Sequence, residues 1–247
     1  MKAFILAAGL GTRLKPWTLE HPKALVPVNG VPMLERVILR VKEQGFDDIT
    51  VNVHHFAGQI KEFLEAHDYG VRIRISDESD LLLDTGGGLL HAAGMLFETP
   101  EPVLIHNVDI LSDADLRELM QAHESNCNAA TLLTSRRESS RKLVVDTKCN
   151  LAGWHNLNTG EYRPVGFIPK EEMEEQAFSG IHVAGPQIVD RMRRRGRKEV
   201  FPIMDFYLSE CGSLPIGCHL SKTLHMIDIG KPDSLARADG FLRSLRQ

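Results

Sequence analysis

The sequence has little of what nucleic-acid-binding, secreted and membrane proteins need. Its 247 residues carry a net charge of −4 with a pI near 6.3, so no overall basic field favours a nucleic acid as partner. Its four cysteines show no CxxC spacing, which is typical of reduced cytosolic thiols, with disulfides as the alternative; they are Cys127, Cys149, Cys211 and Cys218. The first residues carry one basic side chain and an apolar run too short for a signal peptide, and no stretch reaches membrane length. We therefore expect a soluble cytoplasmic protein with no membrane or nucleic-acid partner.

Two common phosphate-binding motifs are also absent near the N-terminus. There is no GxxxxGK[ST], and GxGxxG would need a third glycine where the chain has Leu14. Instead, the strand-like run 3–8 ends at Gly9-Leu10-Gly11-Thr12-Arg13. The glycines let backbone N–H groups approach an anion, and Arg13 adds a planar charged fork, while Lys23 follows in a proline-rich, extended segment. The sequence predicts a cradle for a polyphosphate, although the two glycines alone would fit a tight structural turn equally well.

The spacing of apolar residues switches repeatedly between the helical and the strand period. Helical spacing is found over residues 33–44 and 56–64, and strand patterns over 49–53 and 71–76. This rhythm predicts an α/β fold, a three-layer α/β/α sandwich around a Rossmann-like mixed, mostly parallel sheet. We expect one domain over residues 1–247, with an antiparallel excursion over about 129–185 forming one wall of a ligand pocket. Ligands of such sheets bind beyond the carboxyl ends of the strands, where the glycine loop would lie.

Two acidic residues follow predicted strands at distant points of the chain. Asp109 comes soon after the apolar strand 103–105, and Asp228 comes directly after the strand 223–227. Carboxylates at strand ends face the ligand crevice, and hard oxygen ligands suit Mg²⁺, so we expect these two acids to share one Mg²⁺. The alternative at each position is a cap of the following helix.

Two glycine-containing motifs are further candidates for ligand contact. The motif Asp84-Thr85-Gly86-Gly87-Gly88 precedes a predicted helix over residues 89–96. Backbone N–H groups without side chains and the positive end of the helix dipole would then face a ligand. The alternative is a flexible loop that only caps the helix. Gly180 interrupts a strand pattern, which indicates the close approach of a ligand or another backbone, with an ordinary bulge as the alternative. Trp154 is expected to pack in the core or at its rim rather than to stack on a ligand.

A longer pattern, GxGTRLxPxTxxxPKxLxPV, runs unbroken from Gly9 to Val28 and resembles the sugar-1-phosphate nucleotidyltransferases. The DTGGG motif looks like the (E/D)TGGG of the N-acetylmuramate-1-phosphate uridylyltransferases, in which Glu is usual. The runs FSGI at 178–181 and IDIG at 227–230 are similar to further family motifs. The family commonly has N-G-D or N-S-D where this chain has Asn107-Val108-Asp109, so a small residue is lost but the acid is kept. The resemblance covers the whole chain.

The resemblance implies a Mg²⁺-dependent transfer of a nucleotidyl group from a nucleoside triphosphate to a sugar 1-phosphate, with release of pyrophosphate. UTP and N-acetylmuramate 1-phosphate are favoured, which would place the reaction in cell-wall recycling. Guanylyltransferases for mannose or heptose phosphates, other nucleotide-sugar pyrophosphorylases and a non-catalytic nucleotide-sugar-binding regulatory subunit remain as alternatives. A β-helix acyltransferase domain is not expected, because the chain lacks a hexapeptide period, and either a monomer or a homodimer fits.

The resemblance also implies roles for individual residues. Arg13 would bind the β- and γ-phosphates, and Lys23 would bind oxygens of the α-phosphate and of the incoming sugar phosphate, as the two catalytic residues. The nucleotide would contact Leu6, Ala8, Gly9, Gly11, Thr12, Arg13, Gly86 and Gly87. The sugar would contact Asn107, Asn156 and Gly180, and Mg²⁺ would be held by Asp109 and Asp228.

Overall fold

A computed structural model describes residues 1–196, 199–230 and 232–244. Its strands are β1 Lys2–Leu6, β2 Pro27–Val28, β3 Val31–Pro32, β4 Asp48–Val53, β5 Arg72–Asp77, β6 Val103–Asn107, β7 Ile110–Ser112, β8 Ala130–Ser135, β9 Arg141–Val145, β10 Leu151–Asn156, β11 Glu161–Arg163, β12 Glu174–Ala184, β13 Ile216–Leu220 and β14 Met226–Asp228. Its helices are α1 Met33–Glu43, α2 Ala57–Glu65, α3 Asp84–Leu96, α4 Leu116–Ser125, α5 Pro186–Arg194, α6 Ile203–Glu210 and α7 Pro232–Ser244. Within these ranges, no helix has the length and apolar character needed to cross a bilayer.

The main sheet combines a parallel half with an antiparallel half. Strands β6, β1, β4 and β5 run parallel in that order, and β12 joins the edge of β6 in the antiparallel sense. Beyond β12 lie β9, β10 and β11, while β8 and β13 extend the sheet along the later part of β12. The antiparallel strands β9–β11 fall within the predicted excursion over residues 129–185.

Helices cover both faces of the sheet because its central strands are apolar on both sides. In β1, Ala3 and Ile5 point to a core shared with α1, α2, α4 and α7, whereas Phe4 points to a second core shared with α3, α5 and α6. Successive strand residues face opposite sides, so a continuous apolar run such as residues 3–5 fits a strand buried on both faces. This is the predicted three-layer α/β/α arrangement.

Helix α3 begins earlier than the sequence indicates, and the three glycines lie in its first two turns. The backbone N–H groups of Gly86 and Gly87 both donate to the carbonyl oxygen of Phe201, at 2.9 and 3.3 Å. A Cβ on Gly87 would lie 2.1 Å from the carbonyl oxygen of Glu199. Because the glycines have no side chains, the segment before α6 packs directly against the start of α3. The carbonyl oxygen of Phe201 in that segment accepts from N–H groups in the first turn of α3, which have no acceptor within the helix.

The segment behind the glycine loop differs from the extended chain that its prolines predict. It forms three short 3₁₀ turns, Thr12–Leu14, Trp17–Leu19 and Lys23–Leu25. Proline is disfavoured inside an α-helix but tolerated at the start of a helical turn. Two of the turns begin directly after Pro16 and Pro22, and each ends before the next proline, so the segment stays compact without a continuous helix.

Candidate active site

Asp109 and Asp228, which are 119 positions apart, meet at the carboxyl end of the sheet. Asp228 ends β14, which pairs with β7 so that Asp228 lies opposite Ile110. The backbone N–H of Ile229 donates to the carbonyl oxygen of Asp109 at 2.9 Å. The small sheet β7–β14 thus brings together the two acids that the sequence singles out.

Gly230 marks the centre of this cluster. A Cβ on Gly230 would lie 2.7 Å from Asp109 Oδ2, 3.0 Å from Asp228 Oδ1 and 3.1 Å from Arg13 Nη2. Its backbone N–H donates to Asp228 Oδ1 at 2.9 Å and so fixes the orientation of that carboxylate. Two acids and the Arg13 guanidinium therefore surround a single glycine that leaves them space.

Lys23 joins the cluster through an ion pair between its Nζ and Asp109 Oδ2, and both side chains are 13% exposed. Gly11, at φ +63°, permits this approach, because a Cβ there would lie 2.7 Å from Lys23 Cβ. Thr18 Oγ1 donates to the carbonyl oxygen of Gly11 at 2.9 Å and ties the Lys23 segment to the loop. A Cβ on Gly9 would meet nothing within 4 Å, so that side of the loop is open to a ligand.

A buried amide network, which the sequence analysis missed, holds the chain just before the glycine loop. Asn52 Oδ1 accepts from the backbone N–H groups of Ala7 and Ala8 at 2.6 and 3.2 Å, and Asn52 Nδ2 donates to Glu78 Oε1 at 2.8 Å. A Cβ on Gly88 would lie 2.7 Å from Glu78 Oε1, so this network also fills the space beside α3. The only sequence signal was an amide inside the apolar strand β4.

Glu78 is 3% exposed, and its Oε2 finds no hydrogen-bond partner within the described ranges. Burial raises the pKa of its carboxyl above the ordinary value of 4.5, against a lowering by the hydrogen bond from Asn52. The folded protein therefore binds this proton more tightly than the unfolded chain does. Stability is lost as the pH rises from 4.5 through the raised pKa.

We expect Glu78→Gln to raise the Tm at pH 8 by roughly 2–4 °C, because it removes a buried charge while an amide oxygen can still accept from Asn52. The gain should shrink as the pH approaches 4.5, where the wild-type carboxyl becomes neutral. Thermal unfolding of both proteins between pH 4.5 and 8 measures this difference. Glu65→Gln, at an exposed position of α2, is the matched control, and a Tm gain for Glu78→Gln that is equal at all pH values would contradict the assignment.

On the other side of the acids, β12 bends towards the end of β6. Its register with β8 shifts between Phe178 and His182, and Gly180 within the shift has φ +80°. A Cβ on Gly180 would lie 2.9 Å from Asn107 Nδ2. The structure thus brings Gly180 and Asn107 together, next to Asp109.

A cavity of about 330 Å³ opens beside this contact, between the antiparallel strands and the segment before α6. Its lining includes Thr85, Asn107, Arg137, Arg141, Trp154 and His182. Asn156 is not one of its lining residues in the described part of the chain, and its Oδ1 accepts from the N–H of Asn158 in the following turn. Gly86 and Gly87 are buried against 199–201, so their contact with a nucleotide stays a prediction.

A family profile described as the MobA-like NTP transferase domain matches residues 3–188. The chain belongs to this family. Among curated members, the N-acetylmuramate alpha-1-phosphate uridylyltransferase of Caulobacter vibrioides is 43% identical over 197 residues, which cover 75% of this chain and 76% of that protein. The resemblance to sugar-1-phosphate nucleotidyltransferases is confirmed.

Other relatives of this chain are named for other sugars and nucleotides. The mannose-1-phosphate guanylyltransferase catalytic subunit beta of Xenopus tropicalis is 27% identical over 253 residues, covering all of this chain, which spans 66% of that relative's length. Among solved structures, one similar fold is that of a Bacillus anthracis protein named as a putative glucose-1-phosphate thymidylyltransferase, in complex with sucrose. The TM-score is 0.80 and the sequence identity 20%, and the match covers 98% of this chain and 95% of that one. HddC from Yersinia pseudotuberculosis, complexed with GMP-PN, matches with a TM-score of 0.76, at 19% identity over 98% and 99%. These likenesses confirm the fold class.

Proposed function

We propose that the protein transfers a nucleotidyl group from a nucleoside triphosphate to a sugar 1-phosphate and releases pyrophosphate, with Mg²⁺ as cofactor. The observation that carries the proposal is the convergence of Asp109, Asp228 and Arg13 around Gly230, with Lys23 paired to Asp109. Membership of the NTP transferase family supports the same reaction.

The acids fit a magnesium site of the kind that is completed by substrate. Mg²⁺ is usually bound through one or two carboxylates, with substrate phosphates and water as the other ligands. Asp109 and Asp228 supply two carboxylates, and in the described ranges no group of three or more His, Cys, Asp or Glu side chains could hold a metal by itself. When bound, Mg²⁺ supplies positive charge that neutralises the reacting phosphates.

The residues of the chain bind and orient the two substrates for an in-line displacement. A phosphate oxygen of the sugar phosphate forms the new bond to the α-phosphorus, and the bond to the bridging oxygen breaks, so that pyrophosphate leaves with its electron pair. Arg13 is suited to the β- and γ-phosphates and Lys23 to the α-phosphate, because both cations lie beside the acids. No protein nucleophile is required, so positioning and charge neutralisation account for most of the rate.

The favoured substrates are UTP and N-acetylmuramate 1-phosphate, which would place the reaction in the recycling of cell-wall sugars in the cytoplasm. The support is the Caulobacter uridylyltransferase, at 43% identity over most of both chains. GTP and mannose 1-phosphate are the second candidate pair, which the guanylyltransferases support at 27% identity.

A matrix of four nucleoside triphosphates against a panel of sugar 1-phosphates, with Mg²⁺ present, tests the proposal by pyrophosphate release. We expect the highest kcat/KM for UTP with N-acetylmuramate 1-phosphate. The highest value for GTP with mannose 1-phosphate would leave the reaction class intact and overturn the substrate assignment. Pyrophosphate release with no pair, together with measurable nucleotide-sugar binding, would favour a regulatory subunit over an enzyme.

A further inference from the structure

The cavity beside Asn107 is placed to receive the sugar phosphate. Its lining includes Asn107, two residues before Asp109, and Thr85 of the DTGGG motif. Further walls come from the antiparallel strands β9, β10 and β12, from Pro202 and from the first two residues of α6. A volume of about 330 Å³ is at the lower end of the range typical of small-molecule sites.

The charged side chains in the described lining of this cavity are all positive. Arg137 and Arg141 line it, and its lining within the described ranges includes no Asp or Glu. The neighbouring Arg136, by contrast, is paired with Glu174 at 3.1 Å. The Arg141 guanidinium has neither a hydrogen bond nor an ion pair with any residue that the structure describes. Both arginines are exposed and therefore hydrated in the free protein, and two cations with no carboxylate beside them in the described lining favour an anionic ligand.

The two arginines differ in what they contact. Arg137 donates from Nη1 and Nη2 to the carbonyl oxygens of Glu138 and Phe178, at 3.2 and 2.8 Å. Desolvation lowers the pKa of the Arg137 guanidinium, and the charge of Asp228 acts in the opposite direction, so Arg137 lies within electrostatic reach of Asp228. Arg137 is therefore suited to the phosphate end of an acceptor. Arg141, with its head group unengaged, is suited to a second anionic group.

A neutral polar group is also available to the ligand in the same cavity. His182 is 1% exposed, and neither of its ring nitrogens has a hydrogen-bond partner within the described ranges. Its ring lies between Phe178 and Tyr207, with centroid distances of 5.7 and 5.6 Å. Burial lowers its pKa to about 3, so at neutral pH it offers one donor and one acceptor without charge. A hydroxyl or acetamido group of a sugar satisfies such a site.

We propose that this cavity binds the acceptor sugar and that Arg141 binds a carboxylate carried by that sugar, so that the acceptor is an acidic sugar 1-phosphate. The inference rests on the proposed nucleotidyl transfer, and it names Arg141 as the residue that recognises the carboxylate of the acceptor sugar. A 3-O-lactyl ether, which distinguishes N-acetylmuramate from N-acetylglucosamine, supplies a carboxylate of this kind. Trp154, expected from the sequence to pack in the core or at its rim, lines the cavity and offers an apolar wall to the sugar ring.

The test compares two acceptors that differ only in the lactyl group. The kcat/KM values for N-acetylmuramate 1-phosphate and N-acetylglucosamine 1-phosphate are measured with UTP and Mg²⁺ for the wild type, Arg141→Met, Arg141→Lys and Arg136→Met. We expect the ratio of the two values to fall by roughly 10- to 100-fold in Arg141→Met, the effect of one charge-assisted contact. Arg141→Lys should recover part of the ratio, and Arg136→Met should keep it.

Two unfavourable outcomes are distinguishable. If Arg141→Met lowers both kcat/KM values by the same factor, Arg141 binds the phosphate that both acceptors share, and the inference is wrong while the reaction stands. If the wild type releases no pyrophosphate with either acceptor, the proposed function fails instead. In that case calorimetric binding of the same two sugar phosphates to wild type and Arg141→Met still tests the inference, and equal preference in both proteins would overturn it.

Discussion

Replacing Asp109 with Asn should lower kcat by about 10³-fold and leave the protein folded. Asn has the size of Asp but not its charge, so the position beside Gly230 keeps its shape and loses one of the two carboxylates proposed to hold Mg²⁺. The pair with Lys23 is also lost. Pyrophosphate release at saturating substrates measures the effect, and the Mg²⁺ concentration for half-maximal rate should rise in the variant.

The control for this variant is Asp190→Asn, which removes a carboxylate from an exposed position on α5. It should keep wild-type kcat and the wild-type Mg²⁺ dependence. Circular dichroism and thermal unfolding establish that both variants are folded. Near-normal turnover by Asp109→Asn would show that Asp109 does not bind the metal, whatever its position in the fold.

Lys23→Met should lower kcat by about 10²- to 10³-fold through the loss of a cation rather than of a metal ligand. Lys23 is the positive partner of Asp109 and is held close to the glycine loop by the tight approach at Gly11. With the ammonium gone, charge on the α-phosphate is neutralised less in the transition state, while Asp109 is released from its ion pair. The rate should therefore fall without any rise in the Mg²⁺ concentration that gives half-maximal activity.

This contrast in Mg²⁺ dependence separates the two roles within one experiment. Lys15→Met, at an exposed position of the same segment, is the matched control and should behave as the wild type. An increased Mg²⁺ requirement in Lys23→Met would mean that Lys23 acts by arranging Asp109. The direct role on the α-phosphate would then be withdrawn.

The sequence predicts the parts of this protein that depend on local pattern. The alternation of helix and strand spacing over residues 33–76 predicts the α/β fold, because each period reflects which face of one element is buried. The acids at positions 109 and 228 stand out because each comes at the end of a predicted strand, but the sequence does not show that Asp228 belongs to the small sheet β7–β14 rather than to the main sheet. Arg13 and Lys23 stand out through an unusually long motif.

The parts that depend on partners distant in the chain are not predicted. Nothing local to Gly86 or Gly87 indicates that residues 199–201 pack against them or that α3 already begins at Asp84. Asn52 and Glu78 interact across 26 positions, and each has a neighbourhood that an ordinary strand or turn would also have. The role of Arg141 follows only from the shape of the cavity and from the lack of an acid on its wall in the described ranges.

The change of partners along β12 has a consequence for how such a protein can diversify. The first residues of this strand pair with β9, and its last residues pair with β6, so one continuous backbone joins the antiparallel strands that line the cavity to the strand that precedes Asp109. The separation between the two halves is therefore set by main-chain geometry, not by the side chains that line the cavity. Substitutions in β9 and β10 can therefore change the lining of the cavity without moving Asp109 or Asp228.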